Sequence, residues 1–267
     1  MTYLKQIDQA LFPDLIWAEP QIQLDKPKVL IMGGYANGLK MPLQAFQILK
    51  TGNFNIKIAL PSSLKSLLKI KVNKNESDVL FFPSTEVGSF SLKAQDDLLN
   101  LINTQDALWI AGDTSHNQQT QQLIQNLMTQ SKIHKFLNSS VLPLILDRNL
   151  NQVSNLNLML LPNDLIHLNK IFKTANSYNQ KWNLDQFGQF LSELPINFHI
   201  ISLWNRHLWV KKEQKVCATT INPKILVKDS ENDLLKITKF FIAETFIKSQ
   251  TPWQNLVNAS WKSLNSQ

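Results

Sequence analysis

The sequence predicts an α/β fold with three layers and a mostly parallel central sheet, and three observations support it. Short apolar runs alternate with segments of helical periodicity between residues 28 and 161. Polar residues collect directly after these runs, where the carboxyl ends of parallel strands would lie. Toward the C-terminal third, short alternating runs follow one another quickly, so antiparallel strands are expected at 198–203, 208–211 and 216–219.

The elements are predicted in chain order from these patterns. Residues 1–27 predict a lead-in helix and loop, and the chain up to residue 267 is predicted to form one domain. Continuous apolar runs predict parallel strands covered on both faces, at 28–32, 56–60, 79–82, 107–111, 141–146 and 156–161. Helical periodicity predicts intervening helices that include 91–103, then a long apolar helix over 234–247 and a last helix from Pro252.

The bulk composition excludes several functional classes. With 43% hydrophobic residues in 267, the chain can bury a full core without disulfides or a structural metal, and it has one cysteine, Cys217. The net charge is +7, but the lysines are spread and only two arginines occur, so specific nucleic-acid binding is not expected. No apolar run approaches the ~20 residues of a membrane helix, and no signal peptide is recognised. The expectation is a cytoplasmic protein without a membrane partner.

A glycine-containing loop follows the first predicted parallel strand. Gly33, Gly34 and Gly38 are three of the seven glycines in the chain. Glycine in such a loop allows backbone N–H groups to approach a ligand that a Cβ would block. The spacing matches neither the dinucleotide-binding G-x-G-x-x-G nor a P-loop. A tight turn between a strand and a helix, as in any α/β protein, explains the same residues.

Several short stretches resemble the ribokinase-like fold, and within it the NAD(P)H-hydrate dehydratase (carbohydrate-kinase-related) family. The similarity spans about residues 25–265 in partly kept motifs. The stretches that carry it are Val29–Gly38, Trp109–Gly112, Pro143–Leu150 (similar to Pro-Val-Val-Leu-Asp-Ala-Asp-Ala-Leu), Leu160–Asn163 (similar to Leu-Thr-Pro-His) and Ser230–Leu235 (similar to Gly-Ser-Gly-Asp-Val-Leu).

The resemblance implies a reaction and a set of site residues. Enzymes of this family use ATP or ADP, with Mg²⁺, to phosphorylate the hydroxyl of hydrated NADH or NADPH, and loss of phosphate restores the nicotinamide ring. It implies Asp233 as the base. It implies nucleotide contacts from Ser230, Glu231, Asn232, Trp204 and Asn205. It implies substrate contacts from Gly33, Gly34, Tyr35, Asn37, Gly38, Gly112, Asp113, Asp147, Asn149 and Asn163.

The departures from the family pattern lie mainly on the nucleotide side and support an alternative. Ser230, Glu231 and Asn232 stand where the family has the glycine amides that surround phosphate. The alternative is therefore a catalytically degenerate relative that binds a nucleotide or a protein partner without turnover. Asp233 is equally explained as an ordinary N-cap. No metal site is predicted, because Asp113 and His116 are only two potential ligands. A homo-oligomer is expected from the resemblance.

Overall fold

The computed structural model describes residues 3–16, 26–35, 38–68, 78–115, 117–141, 152–172, 181–221, 231–246 and 251–265. The chain divides into two compact units. We call residues Lys26–Leu156 the central unit, and Met1–Asp25 together with Asn157–Gln267 the discontinuous unit. The prediction of a single domain stays a prediction.

The strands follow one another along the chain as short segments of three to seven residues. They are β1 Leu4–Gln6, β2 Lys28–Met32, β3 Asn55–Pro61, β4 Val79–Phe82, β5 Ala107–Ile110, β6 His134–Asn138, β7 Leu156–Leu160, β8 His199–Trp204, β9 His207–Lys212 and β10 Lys215–Thr220.

Helices separate most of these strands. They are α1 Pro13–Ile16, α2 Lys40–Lys50, α3 Gln95–Ile102, α4 Gln118–Gln130, α5 Asp164–Phe172, α6 Leu184–Glu193, α7 Glu231–Thr245 and α8 Pro252–Asn265. Single 3-10 turns occur at Ser62–Lys65, Leu92–Ala94 and Ser139–Val141.

The central unit is built on five parallel strands in the order β6-β5-β2-β3-β4. The strands β2 and β5 are buried from Val29 to Met32 and from Ala107 to Ile110, because helices cover both faces of a parallel sheet. Right-handed crossovers place α2 on one face and α3 with α4 on the other. The side chains of Asn126 on α4 and Gln95 on α3 accordingly meet in a hydrogen bond of 2.6 Å.

The strand order of the central unit reverses between β2 and β5. From β2 the chain proceeds outward through β3 to β4, and it then returns to β5 and continues to β6. At such a reversal the connections leave the sheet on opposite faces, which opens a crevice at the carboxyl ends of the two strands. This geometry positions the loop after β2 and the loop after β5 beside each other.

The discontinuous unit contains the antiparallel strands. Its strand order is β1-β10-β9-β8-β7, with β8, β9 and β10 antiparallel and both outer pairs parallel. The β8–β9 connection is the two-residue turn Asn205-Arg206, in which both residues have positive φ (47° and 60°). These values fit the type I′ hairpin turn, in which Asn is favoured.

The two faces of this sheet region are packed differently. On one face, Phe187 of α6 stacks on Trp204, with centroids 4.2 Å apart, and contacts Trp209 edge-on at 4.9 Å. On the other face, Gln6 donates to Thr219 Oγ1 (2.8 Å) and Ser260 Oγ (3.1 Å), which ties β1 and β10 to α8. Cys217 is a free, buried thiol, and burial raises its pKa to about 12.

Most of the predicted strands are present, and the fold class is confirmed. Two elements were not predicted: strand β1 inside the expected lead-in segment, and helix α6. The strand predicted at 141–146 is misplaced at its start, because the strand that follows α4 is His134–Asn138 and Val141 lies in a 3-10 turn. Residues 142–150 lie outside the described part of the chain.

Candidate functional site

The candidate site of the central unit lies where the loops after β2 and β5 meet. Gly33 begins the first loop at a φ of 158°, and a Cβ built there would lie 2.2 Å from the carbonyl oxygen of Ala111. No side chain fits at that distance. Gly112 has a φ of 78°, and a Cβ there would lie 2.8 Å from the Cβ of Met41 at the start of α2. These two glycines are therefore required by the packing of the protein against itself.

Gly34 differs from these two glycines. Its φ is 89°, in the left-handed region that favours glycine, but the nearest atom to an added Cβ is 3.5 Å away. Gly34 is buried, and a Cβ there would be in ordinary van der Waals contact with the side chains of Leu64, Leu39 and Pro42. Of the glycines at the end of β2, it is the one whose bare backbone is not explained by close contact with the chain.

Tyr35, Gly38 and Asp113 form the outer part of the site. The N–H of Gly38 donates to the carbonyl of Tyr35 (3.0 Å), which closes a turn. A Cβ at Gly38 would lie 2.8 Å from both the Tyr35 ring and the carbonyl of Asp113. The negative charge of the Asp113 carboxylate raises the pKa of Tyr35, because it disfavours a second negative charge nearby. Tyr35 therefore keeps its proton and can donate it in a hydrogen bond.

The loop after β5 leaves one hydroxyl without a partner. The N–H of Ser115 donates to Asp113 Oδ1 (2.7 Å), and Ser115 itself has a φ of 74°. Between them, Thr114 is fully buried and its Oγ1 has no hydrogen-bond partner. Since a buried polar atom without a partner costs free energy, this hydroxyl is a candidate ligand contact. Thr114 is not among the site residues predicted from the sequence.

The hydroxyl groups that follow β3 and β4 are, by contrast, engaged with one another. Ser62 and Ser84 share a hydrogen bond of 3.1 Å, and Ser63 donates to the carbonyl of Gly88 (2.8 Å). The Thr120 hydroxyl of α4 donates to the carbonyl of Phe90 (2.8 Å) and shares a hydrogen bond with the Ser89 hydroxyl (2.9 Å). Because these hydroxyls already have partners within the protein, they hold the two loops together and are not candidate ligand contacts.

The residue proposed as the base lies in the discontinuous unit. Asp233 is the third residue of α7 and is half-buried, and Asn232 before it is exposed. The backbone of Glu231 begins the helix, while Ser230 lies outside the described residues. Asp233 is thus inside the first turn, where unpaired backbone N–H groups point toward the helix start.

The predicted nucleotide contacts Trp204 and Asn205 have structural roles in this unit. Trp204 is 6% exposed, and the Phe187 ring covers it at an interplanar angle of 15°. Asn205 is an exposed residue of the type I′ turn, and its carbonyl contacts His207 Nδ1 (2.7 Å). An adenine ring is not needed to explain either residue.

The remaining predicted substrate contacts are only partly described. Asn163 is exposed in the turn before α5, where Asp164 Oδ2 accepts the N–H of Leu161 (2.7 Å). Asn37, Asp147 and Asn149 lie outside the described residues. The substrate-side residues Gly33, Gly34, Tyr35, Gly38, Gly112 and Asp113 lie in the central unit, and Asp233 and Asn163 lie in the discontinuous unit.

No group of three or more His, Cys, Asp or Glu side chains is placed to hold a metal ion in the part of the chain that the structure describes. Within the same residues, none of the helices has the length and apolar character needed to cross a membrane.

Known structures share this architecture, and it is the ribokinase-like fold. A ribokinase-like superfamily protein from Enterococcus faecalis matches with a TM-score of 0.64 and 12% identity, over 97% of this chain and 86% of that chain. A hypothetical protein from Streptococcus mutans matches with a TM-score of 0.62 and 11% identity, over 94% and 86%. Adenosine kinase from Anopheles gambiae, solved with a di(adenosine) tetraphosphate, matches with a TM-score of 0.54 and 11% identity, over 83% and 78%.

These matches define the fold but not the activity, because all are well below 25% identity. No family model and no curated protein matches the sequence. The ribokinase-like part of the predicted resemblance is confirmed. The assignment to the NAD(P)H-hydrate dehydratase branch stays a prediction.

Proposed function

We propose that this protein binds a nucleotide-like small molecule at the β2–β5 crevice and transfers a phosphoryl group to it from ATP or ADP. The observation that carries the proposal is the strand reversal between β2 and β5, with the buried Thr114 hydroxyl unpaired in the loop after β5. Adenosine kinases among the similar folds support an adenine nucleotide as the second ligand.

Hydrated NADH or NADPH is the substrate that we propose, because the resemblance of Val29–Gly38 and Ser230–Leu235 is to the dehydratases that repair it. In this reaction the Asp233 carboxylate takes the proton of the substrate hydroxyl, and the hydroxyl oxygen of the substrate forms a bond to the terminal phosphorus of the nucleotide. The bond from that phosphorus to the leaving nucleotide breaks, so ATP yields ADP. The carbon–oxygen bond to the new phosphate group then breaks and the adjacent ring carbon loses a proton, which releases inorganic phosphate and restores the double bond of the ring.

The start of α7 supplies part of what this chemistry needs. Backbone N–H groups in the first turn of a helix of 15 residues stabilise negative charge. Glu231 acts against this, because a glutamate carboxylate within ~4–6 Å of a triphosphate repels it by on the order of 1–4 kcal/mol. Since the described residues hold no acidic cluster of their own, a Mg²⁺ ion would be held mainly by the nucleotide phosphates.

The second candidate function is a nucleotide- or partner-binding protein without turnover. It is favoured by Glu231 and Asn232, which put side chains at the start of α7 where the family has glycine. In this alternative the crevice of the central unit still binds a ligand, and Asp233 serves only the helix terminus.

One assay separates the two functions. Purified protein is mixed with hydrated NADH and with ATP or ADP and Mg²⁺, and the recovery of NADH is followed by its absorbance. The enzyme function requires turnover that Asp233→Asn lowers at least about 100-fold, since general-base catalysis contributes ~10²–10⁴-fold. Equal, measurable rates for the two proteins would remove Asp233 as the base. No turnover in either protein leaves the binding function, which calorimetry with ATP and ADP then tests.

The proposal extends to the cellular compartment and the oligomeric state of the protein. We place the reaction in the cytoplasm, where nicotinamide nucleotides and ATP are both abundant and where the free thiol of Cys217 stays reduced. A homo-oligomer also stays a prediction from the resemblance, and analytical ultracentrifugation of the purified chain tests it.

A further inference from the structure

The outer edge of β4 is an open strand edge in the part of the chain that the structure describes. β4 (Val79–Phe82) is the last strand of the sheet and pairs with β3 alone. Natural edge strands usually carry a charge, a proline or a bulge that prevents pairing with another chain. The sequence Val-Leu-Phe-Phe has neither a charge nor a proline, its register with β3 is continuous, and its first three residues are half-exposed.

The register of β3 and β4 fixes which backbone groups face this edge. The N–H of Ile58 donates to the carbonyl of Asp78 (2.7 Å), and Ile58 lies opposite Val79. In a parallel ladder, a residue bonds to the two residues that flank its partner, so Leu80 is turned toward β3. The N–H and C=O groups of Val79 and Phe81 consequently point away from β3.

These two residues are complementary to themselves in an antiparallel pairing. With a two-fold axis beside Leu80, Val79 of one protomer lies opposite Phe81 of its partner, and Leu80 lies opposite its own copy. Each opposed Val79 and Phe81 then exchange both of their N–H···O bonds. A β-branched side chain beside an aromatic one is also a favourable cross-strand pair.

The charge distribution favours a second copy of this chain as the partner. Across a two-fold axis a strand meets its own residues, so a charge near the axis would oppose the same charge. The described residues 55–68 and 78–90, which contain β3, β4 and the loops after them, carry two cations and two anions, namely Lys57, Lys65, Asp78 and Glu86. Their formal charge is zero, whereas that of the chain is +7. Two copies therefore meet at this edge without the repulsion that their net charge produces elsewhere.

Exposed apolar side chains continue beyond the strand. Leu67 is 61% exposed and Val87 is 58% exposed, in the loops that follow β3 and β4. The N–H of Gly88 donates to the carbonyl of Thr85 (3.0 Å), and Ser63 Oγ donates to the carbonyl of Gly88 (2.8 Å). These bonds hold the turn that contains Val87 against the segment that leads to Leu67, so both loops add apolar area that a partner can cover.

We propose that β4 is a dimer interface, at which the β4 strands of two copies of this chain pair antiparallel about a two-fold axis beside Leu80. The pairing satisfies the outward backbone groups of Val79 and Phe81 and covers the half-exposed side chains of the strand. It involves none of the candidate ligand contacts. Success or failure of the proposed reaction therefore has no bearing on it.

Oxidative cross-linking of the full chain tests the register. Leu80→Cys places a thiol opposite its own copy, in a non-hydrogen-bonded pair whose ~4.5 Å between Cα atoms suits a disulfide. Val79→Cys is the matched control, because position 79 lies opposite position 81 and its side chain is on the other face of the strand. The natural Cys217 is buried and its pKa is raised to about 12, so it does not react.

We expect Leu80→Cys to form a covalent dimer on mild oxidation, seen by non-reducing electrophoresis, and Val79→Cys to form at least about tenfold less of it. Equal cross-linking of the two variants, or none in either, would overturn the proposed pairing.

Sedimentation over a concentration series tests the dimer without cysteines. Val79→Pro removes an outward N–H and leaves the bonds between β3 and β4, and proline is tolerated at the first residue of an edge strand. We expect a wild-type dimer whose dissociation constant this variant raises at least about tenfold. Leu4→Ser is the control, because Leu4 is 47% exposed on β1, the strand at the other end of the sheet. It should leave the dimer unchanged.

Three sedimentation results contradict the proposal. They are a monomer at every concentration, a folded Val79→Pro that dimerises as the wild type does, and loss of the dimer in Leu4→Ser, which would assign the interface to β1. Thermal melting shows whether Val79→Pro is folded, and the cysteine variants decide the question alone if it is not.

Discussion

The strand ends of the two units are packed in different ways, as a comparison of the aromatic cluster in the discontinuous unit with the β2–β5 crevice in the central unit shows. In the cluster, Phe187, Trp204 and Trp209 cover one another, and the Trp209 indole N–H donates to the Trp204 carbonyl (3.3 Å). In the crevice, glycines allow backbones to touch, and the Thr114 hydroxyl has no partner. The comparison teaches that aromatic residues at a strand end can be structural, so their presence alone does not indicate a ligand.

The largest effect is expected in the aromatic cluster. Phe187 is fully buried and stacks on Trp204 at 4.2 Å. Phe187→Ala should lower the free energy of unfolding by about 3–5 kcal/mol, because it leaves a cavity between two tryptophans. Urea unfolding followed by tryptophan fluorescence measures it, with Phe187→Leu as a control that should lose less. A loss below about 1 kcal/mol for the alanine variant would show that the cluster is loosely packed and that Trp204 is free for a ligand.

A smaller effect on stability is expected from substitutions of Gly33 and Gly34. It distinguishes a glycine required by close packing from one that is favoured only by its backbone conformation. Gly33→Ala places a Cβ 2.2 Å from the Ala111 carbonyl oxygen, so we expect a loss of about 2–3 kcal/mol in unfolding free energy. Gly34→Ala meets nothing closer than 3.5 Å and should lose only ~1–2 kcal/mol from its left-handed backbone. Denaturant curves of the two variants give both values. Equal losses would contradict the distinction that the structure draws between the two glycines.

The smallest effect concerns one buried lysine in each unit. Burial lowers the pKa of Lys135 and of Lys211 to about 8. Lys135 Nζ donates to the carbonyls of Ser131 (2.7 Å) and Ser154 (2.9 Å), and Lys211 Nζ donates to the carbonyl of Glu213. Carbonyl dipoles replace water in both cases, but neither contact supplies a full negative charge.

The sign of the pH dependence follows from these pKa values. Below pH 8 both lysines are charged in the folded and unfolded chains, and the full cost of burying the charge is present. Between pH 8 and about 10.5 the folded chain has lost the proton that the unfolded chain still holds, so this contribution to stability rises with pH. Each lysine should contribute on the order of 1 kcal/mol to the rise.

Urea unfolding of the wild type and of Lys135→Met, at pH 7 and pH 9.5, measures this contribution. The difference in unfolding free energy between the two proteins should shift in favour of the wild type at pH 9.5. The comparison with the variant is needed because the buried Cys217, with its pKa raised to about 12, acts in the opposite direction above pH 9. A constant difference between the two proteins would mean that water reaches the Lys135 ammonium.

Much of the fold was predictable because it depends on patterns that are local in the sequence. The buried runs of β2 and β5 are uniformly apolar, and that of β7 is interrupted only by Asn157, so the type of each strand followed from the pattern. Strand β1 was missed because Leu4–Gln6 is only three residues long, and its pairing with β10 lies more than 200 residues away along the chain. The position of β6 was missed because its His134 and Lys135 interrupt the apolar pattern, although Lys135 is fully buried.

The candidate site was predictable to a lesser extent. Gly33, Gly34, Gly38 and Gly112 were recognised from their place after apolar runs, but the reason for Gly33 and Gly112 is a contact with another segment of the chain. Thr114 gave no signal in the sequence, because it differs from an ordinary threonine only in being buried without a hydrogen-bond partner.

By itself, the sequence determined the α/β class and the parallel and antiparallel regions, since apolar periodicity and turn residues act over a few neighbours. The tertiary structure alone decided which glycines are needed by packing, which aromatic rings are covered, and which polar groups remain unpaired. These properties depend on atoms that are distant in sequence and meet only when the chain is folded.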